Sequence, residues 1–509
     1  MHMAAGTQHR AGRPARQRAS CIILLATILA GSTTGLAQAG SGMSVIDAAV
    51  AAMGGRARIL AVHSLVSVGM GINPNLLEQM RPEDPPLVWA LPQYRLAMDL
   101  DHGRFQEKFL RRPAFPAVFD NFPQDARLDG EVAYNGGSSP QRLPASVAAE
   151  RRVQMLHHPL ALLRAALAPG AQLSAARHER ELDEVDIQTA AGDRLTLAVT
   201  HASGLPAWIR SMAEHPMLGD VALVSRFDGY ALEEPSGLIL PRHVVTSLDG
   251  TTEYDLELIS NEVNAGVEDL QAPAQLRNAA APEVPRETIH ARELAPGLFF
   301  LSGARAGWNS VLVEFTDHLT LIEAPLSEAR AEALFAEAKL LQPGKPLTEL
   351  VISHFHVDHA SGFRAAVAAG LVIITQKGNE AFLREVANRP FTISPDALAR
   401  HPRPLQMRTF DDRLVLKDAS RELDLYHVRH SSHCDTLLMA YLPTQRMLIN
   451  ADSFYDPAGQ IMPHTVFFQR EILARGLRVD LQVPLHGAAP TDEKTYLAIE
   501  RELELGQRH

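Results

Sequence analysis

Ser353-His354-Phe355-His356-Val357-Asp358-His359 puts four side chains able to ligate a metal into one short stretch. The apolar run before it, Leu350-Val351-Ile352, reads as the end of a buried strand, and Ala360 to Ala369 reads as a helix. Side chains two apart on a strand share a face, so His354 and His356 point the same way. Asp358 and His359 lie where the chain turns into the helix and address a second, neighbouring position. A single zinc takes three or four protein ligands, and this turn offers four before any distant residue is counted. The pattern therefore asks for two adjacent metals and for further ligands from elsewhere.

Those partners are expected at the C-terminal ends of later strands. His427, His430 and His433 crowd the end of the strand that begins at Leu423. Asp452 follows the strand Met447–Asn450. His486 follows Leu481–Leu485, and Gly487 beside it permits close backbone approach. Strand patterns over Leu298–Leu301, Ser310–Phe315, Leu319–Ile322, Leu347–Ser353 and Leu371–Thr375 form one group. Leu414–Leu416, Leu423–Val428, Thr436–Leu442, Met447–Asn450 and Leu481–Leu485 form a second. Helical periodicity covers Ser327–Leu341, Asn379–Ala387, Val466–Leu477 and Asp492–Leu503. Two strand-rich halves flanked by helices describe an α/β fold, with two sheets face to face between helical layers.

The ordered set His354, His356, Asp358, His359, His433, Asp452 and His486 resembles the metallo-β-lactamase superfamily of binuclear metallohydrolases. The resemblance covers roughly residues 290–509 and implies the superfamily's αββα four-layer sandwich. It also implies that His354, His356 and His433 hold one metal, that Asp358, His359 and His486 hold the other, and that Asp452 lies between them. Two Zn2+ are expected, and ligand type alone does not separate zinc from iron or manganese. Some positions depart from the pattern. Arg429-His430-Ser431-Ser432-His433-Cys434-Asp435 lacks the usual glycine before the loop histidine, which leaves His430 as a rival to His433. Glu323 stands where an aspartate is common, and Cys434 reads as a buried thiol beside a ligand.

A compact structural metal site would have clustered ligands, whereas these stretch from His354 to His486. Paired metals ionise a shared water and polarise an electrophile, with Asp358 placed to take the water's proton. The expected activity is hydrolysis of an ester, thioester, lactone or related bond in a small molecule. Lactam-cleaving members of the superfamily usually carry cysteine or serine at the position of Asp452, so a β-lactamase is the first alternative. A binding protein for apolar ligands with a secondary metal domain is the second. Asn388–Arg408, Phe454–Phe468 (with Tyr455, His464, Phe467 and Phe468), Trp308 and Asn309 are candidates for pocket walls, each against the plainer reading of loop or core.

The chain carries a net charge of -11 with no basic tract beside aromatic pairs, which argues against a nucleic-acid partner. Arg10, Arg13, Arg16 and Arg18 precede an apolar run, Cys21 to Ala30, and then Ala37-Gln38-Ala39. That order predicts a signal peptide over 1–39 and an exported, periplasmic or secreted protein. The run is too short to span a bilayer comfortably, so the mature chain is expected to have no integral membrane segment. Cleavage would leave Cys434 as the lone cysteine and exclude an internal disulfide. Residues 43–265 predict a mainly antiparallel, curved sheet with helices at Val45–Met53 and Arg152–Leu167. Its opening helix, glycine pair Gly54-Gly55 and strand resemble periplasmic lipoprotein-carrier sheets. Such a domain could hold an apolar ligand, lean on the metal domain, or form the surface of a homo-oligomer. Its histidines read as surface or satisfied core residues. An Ala/Pro-rich linker over 266–289 joins the two halves.

Overall fold

Alternation of apolar and polar residues from Leu65 onward is drawn out into a 12-residue strand, Ser64–Asn75, at the centre of the N-terminal sheet. The computed structural model describes residues 41–115, 121–283, 286–452, 465–487 and 489–492, with 494, 495, 497, 498 and 501 beyond them. The expected leader, half of the closing helix, Tyr455 and His464 lie outside the described residues. On one side of Ser64–Asn75 follow Leu87–Asp99, Arg104–Pro113, Phe122–Asp129 and Val132–Asn135, each antiparallel to the last. On the other side lie Thr251–Val263, His243–Leu248, Gly219–Asp228, Pro206–His215, Arg194–Thr200 and Leu182–Gln188. The helix Gly42–Ala52 buries Val45, Ile46, Ala49 and Val50 in a core shared with Val185, Leu195, Leu197 and Ile209 of this sheet.

The single helix expected over Arg152–Leu167 is two, Ala145–Leu156 and Pro159–Leu167. Pro159 has no N–H to give the preceding turn, and its ring blocks continuation of that helix. His158 then caps the second helix, its Nδ1 accepting the Leu160 N–H at 3.2 Å. His157, in the break, is buried between the hydroxyls of Ser225 (3.0 Å) and Ser211 (2.8 Å). Burial lowers both imidazoles from 6.5 to about 4. A depressed histidine pKa means that the unfolded chain takes up the proton first, so stability is full above pH 6.5 and declines as pH falls toward 4. A drop of that size corresponds to roughly 3 kcal/mol per imidazole. Melting curves are expected to shift down steeply between pH 6.5 and pH 4, and H157Q to flatten that slope. An unchanged slope in H157Q would assign the acid sensitivity elsewhere.

Within the expected linker, residues 270–276 are packed against the N-terminal sheet. Leu270 is buried with Val66 and Ala97, and Ala272 and Leu276 with Val132 and Tyr134. Beyond them, Ile289–Ala295, Leu298–Gly303, Asn309–Glu314, Leu319–Ile322, Leu347–Val351, Val372–Gln376 and Gln406–Phe410 form a seven-stranded sheet in that spatial order. A six-stranded sheet follows, running from Arg413–Lys417 through Glu422–His427, Leu438–Leu442, Met447–Asn450 and Leu481–Pro484 to Thr491–Asp492. The sheets share one core, with Leu321, Leu350 and Val351 from the first and Leu425, Leu448 and Val483 from the second. Helices Glu328–Leu341, Phe363–Ala369, Glu380–Asn388 and Thr465–Ala474 complete the αββα sandwich. The two halves of the fold interlock. Leu77, Met217, Leu218 and Val221 of the N-terminal half are buried in the core of the sandwich. The Asp220 carboxylate accepts the Thr392 and Ile393 N–H groups, and Arg389 pairs with Asp249. The stretch expected to be irregular, Asn388–Arg408, holds a helical turn at Ala397–Arg400 and the start of the strand Gln406–Phe410, and its first residues dock against the N-terminal half.

Candidate metal centre

The turn after Leu347–Val351 departs from the expected unbroken helix. One helical turn, Val357–Ala360, is followed by a separate helix, Phe363–Ala369. Gly362 sits in the break, where its N–H donates to the Ala324 carbonyl at 2.9 Å. A Cβ there would lie 2.4 Å from that oxygen, so only glycine lets the two segments close. The break aims Asp358 and His359 inward, beside His354 and His356.

All seven expected ligands converge. The ligand atoms of His354, His356 and His433 lie within 4.8 Å of one another, as do those of His354, His359 and Asp452, and those of Asp358, His359 and His486. Asp452 ties the sets together. Its Oδ2 is 3.0 Å from His359 Nε2 and 3.6 Å from the Nε2 atoms of His354 and His433, and its Oδ1 is 2.8 Å from His486 Nδ1. The rival His430 is exposed and belongs to no ligand group, and His427 spends its Nε2 on the Asp435 carbonyl at 2.7 Å. Cys434 is fully buried against the Thr436 hydroxyl, and burial pushes its thiol up to about 12.

The surroundings orient each ring. Ser353 Oγ lies 2.9 Å from His354 Nδ1, and the Gln79 carbonyl 2.9 Å from His356 Nε2. Glu323, where the resemblance places an aspartate, takes His359 Nδ1 at 2.8 Å and the Ser353 N–H at 2.7 Å with its carboxylate. Trp308 donates from Nε1 to Asp358 Oδ2 at 3.0 Å and stacks on His486 with centroids 4.8 Å apart. Asn309 fixes the loop beneath His486 through the Pro484 and Gly487 carbonyls at 3.1 and 2.7 Å. Trp308 thus belongs to the site, while Asn309 supports it. Phe468 is core, and Phe467 packs beside that core.

Charge within the cluster is divided. Burial and the neighbouring His356 and His359 hold His354 well below the ordinary histidine range, and burial also lowers His356. At His359 burial works in the same direction, but Asp358, Asp452 and Glu323 outweigh it and raise the imidazole well above that range. Burial opposes ionisation of Asp452, yet His359 and His433 bring it well below the usual carboxylate value. Imidazoles beside buried carboxylates form a donor set suited to divalent cations. His356 Nδ1 is buried without a hydrogen-bond partner, as a metal-facing atom would be. His354 Nε2 and His433 Nε2 are 3.3 Å apart, which matches the roughly 3.3 Å between two nitrogens bound to one zinc at tetrahedral angles. The residues fit a metal pair.

The sequence profile described as the metallo-beta-lactamase superfamily matches residues 307–484. The C-terminal domain belongs to the metallo-β-lactamase superfamily. Among solved structures, the chain is similar to a metallo-beta-lactamase from Pontibacter korlensis, at 16% identity and TM-score 0.33, over 44% of this chain and 100% of that one. The DIM-1 metallo-beta-lactamase matches at 15% identity and TM-score 0.35, with the same coverage of 44% and 100%. Rubredoxin oxygen:oxidoreductase from Desulfovibrio gigas matches at 17% identity and TM-score 0.33, over 42% of this chain and 61% of that one. No curated protein matches the chain. Outside the metallo-β-lactamase domain, His178 and His201 flank Asp183 on the exposed surface of the N-terminal sheet.

Proposed function

We propose that this protein is a binuclear zinc-dependent hydrolase that cleaves an ester, thioester, lactone or related bond in a small molecule. The observation that carries the reading is the pair of three-ligand sets joined through Asp452. His354, His356 and His433 would hold one ion, and Asp358, His359 and His486 the other, with Asp452 between them. Bound there, two dications supply Lewis acidity and lower the pKa of a water. The chain's own residues do the rest. Trp308 fixes Asp358 through Oδ2, which leaves Oδ1 buried and without a hydrogen-bond partner to accept the proton of the attacking water. Ser353, Glu323 and the Gln79 carbonyl set the tautomers of His354, His359 and His356. Asp452 disfavours the lactamase alternative, because lactam-cleaving relatives usually carry cysteine or serine there.

Metal analysis of the purified protein is expected to find two ions per chain, and H354A to lose metal together with hydrolysis. A panel of esters, thioesters, lactones and lactams on zinc-loaded protein identifies the bond. Full metal occupancy with no cleavage across the panel would sink the enzyme reading and favour an apolar-ligand-binding protein. The same proposal places the enzyme outside the cytoplasm after cleavage behind Ala39. Among the described residues no helix is long and apolar enough to cross a membrane. The mature N-terminus is expected at Gly40 by mass spectrometry of an export-competent host's periplasmic fraction. Recovery of the intact chain in the cytoplasm alone would contradict it.

A further inference from the structure

The strand Ser64–Asn75 does not turn directly into Leu87–Asp99. Between them the chain leaves the N-terminal sheet and reaches the metal centre. Leu77 begins the excursion in a left-handed conformation, φ 60°, which costs a leucine about 1–2 kcal/mol. Burial of its side chain in the core of the sandwich offsets that cost. Gln79 then braces the turn with its side chain, accepting the Glu78 N–H at 3.1 Å and donating to the Pro82 carbonyl at 3.2 Å. Its backbone carbonyl meets His356 Nε2 at 2.9 Å. The Met80 carbonyl accepts the Asp435 N–H at 2.9 Å, and Arg81 pairs with the Asp435 carboxylate at 2.6 Å. The excursion is thereby stapled to both segments that carry the three-histidine set, at His356 and two residues past His433.

Glu78 is what this scaffold presents. Its Oε2 lies 3.5 Å from His356 Nδ1, the nitrogen left facing the cluster once Nε2 is committed to Gln79. Glu78 belongs to none of the ligand groups, so it stands beside the three-histidine set rather than within it. Its side chain is 24% exposed, and among the described residues its carboxylate accepts no hydrogen bond. Burial, with Asp358 and Asp452 nearby, pushes its carboxyl well above the ordinary range, which positive charge in the cluster opposes, and Arg111, lying over the Trp89 ring at 4.3 Å, makes no ion pair with it. A carboxylate on this braced turn, partly open to solvent and next to a metal-facing nitrogen, is placed to meet whatever binds there.

We propose that Glu78, supplied by the N-terminal half, is a ligand-facing residue of the metal centre. It selects molecules that carry a cation or hydrogen-bond donor next to the metal-binding atom, and disfavours those with an anion there. The proposal rests on the metal-dependent reading above. It also assigns the N-terminal half a part in substrate choice.

Thiols that share one metal-binding sulfur and differ in their tails test it without requiring turnover. The full-length mature chain is loaded with Co2+, and cysteamine, 2-mercaptoethanol and 3-mercaptopropionate are titrated against the sulfur-to-cobalt charge-transfer absorption. The parent is expected to prefer cysteamine to 3-mercaptopropionate by about tenfold, the equivalent of one favourable charge contact. E78Q is expected to bring that ratio near one with cobalt content and melting temperature unchanged, and E78D to keep the preference. Three results overturn the proposal: a parent that does not discriminate, a ratio unchanged within about twofold in E78Q, or loss of cobalt in E78Q, which would make Glu78 a metal ligand. A chain that takes up no cobalt sinks this inference and the hydrolase reading together. Charge-dependent thiol binding with no hydrolysis of any substrate sinks only the latter.

Discussion

Asparagine in place of Asp452 is expected to cost the protein both metals. The Asp452 carboxylate is 3.0 Å from His359 Nε2, 3.6 Å from His354 Nε2 and His433 Nε2, and 2.8 Å from His486 Nδ1, so it touches both ligand sets. Loss of a partner that only orients a ligand typically weakens metal binding by about 10–100-fold. Loss of a shared ligand should exceed that, and kcat/KM should fall by more than about 100-fold with it. Asparagine is the informative replacement because Asp452 has φ 57°, a left-handed backbone that asparagine and aspartate tolerate and alanine does not. D452A would confound lost ligation with backbone strain. The measurement is metal stoichiometry after dialysis against a weak chelator, paired with chelator competition for affinity. A D452N protein that retains two ions with the parent's affinity would show that the carboxylate does not join the two sites.

The metal turn was legible because its chemistry is local. Four ligands within Ser353–His359 need only the periodicity of a strand and the start of a helix to be read as a site. The side chains that converge on the turn from later in the chain follow it in the expected order, and the loop conformation brings His433 to them and leaves His430 exposed. The broken helices at Pro159 and Gly362 were missed for different reasons. Proline at a helix start is a sequence signal that apolar periodicity overrode, whereas the Gly362 break answers to the Ala324 carbonyl, a contact that no periodicity contains. Glu78 and Gln79 carried no signal. Gln79 meets His356 across 277 residues, and a glutamate and a glutamine in a polar loop look like any solvated turn. Strain offers a structural clue: of nine described non-glycine residues with positive φ, Leu77, Glu323, Leu326, His430 and Asp452 lie in or beside the segments that build the metal centre, and Arg180, Asp249, Asn264 and Arg446 lie in other turns. Residues held in sparsely populated conformations cluster where surrounding contacts over-determine them, and here those contacts serve the metal centre.

Glu323 yields the second large effect, and in an unexpected direction: restoring the family's aspartate should harm this protein. Glu323 is fully buried and divides its two oxygens between His359 Nδ1 at 2.8 Å and the Ser353 N–H at 2.7 Å. One bond orients a ligand on the second half of the turn, and the other anchors the residue just before His354. Removing one methylene withdraws the carboxylate by about 1.5 Å, too far to keep both hydrogen bonds at these lengths. E323D is therefore expected to weaken metal binding about 10–100-fold, chiefly at the site that includes His359. Backbone strain does not explain such a loss, since φ at Glu323 is 70° and aspartate accepts that region at least as readily as glutamate. E323A goes further, because it leaves a buried imidazole and a buried N–H without their acceptor. Breaking a buried charged pair on one side typically costs about 3–5 kcal/mol, so the metal-free protein should melt well below the parent. E323Q keeps the shape and separates the contributions: its carbonyl can satisfy one donor, but its amide cannot accept from the other. It should fold like the parent yet bind metal like E323D. If E323D binds two ions as tightly as the parent and E323A melts with it, the carboxylate is a passive filler, and His359 must be held in place by Asp358 and Asp452 alone.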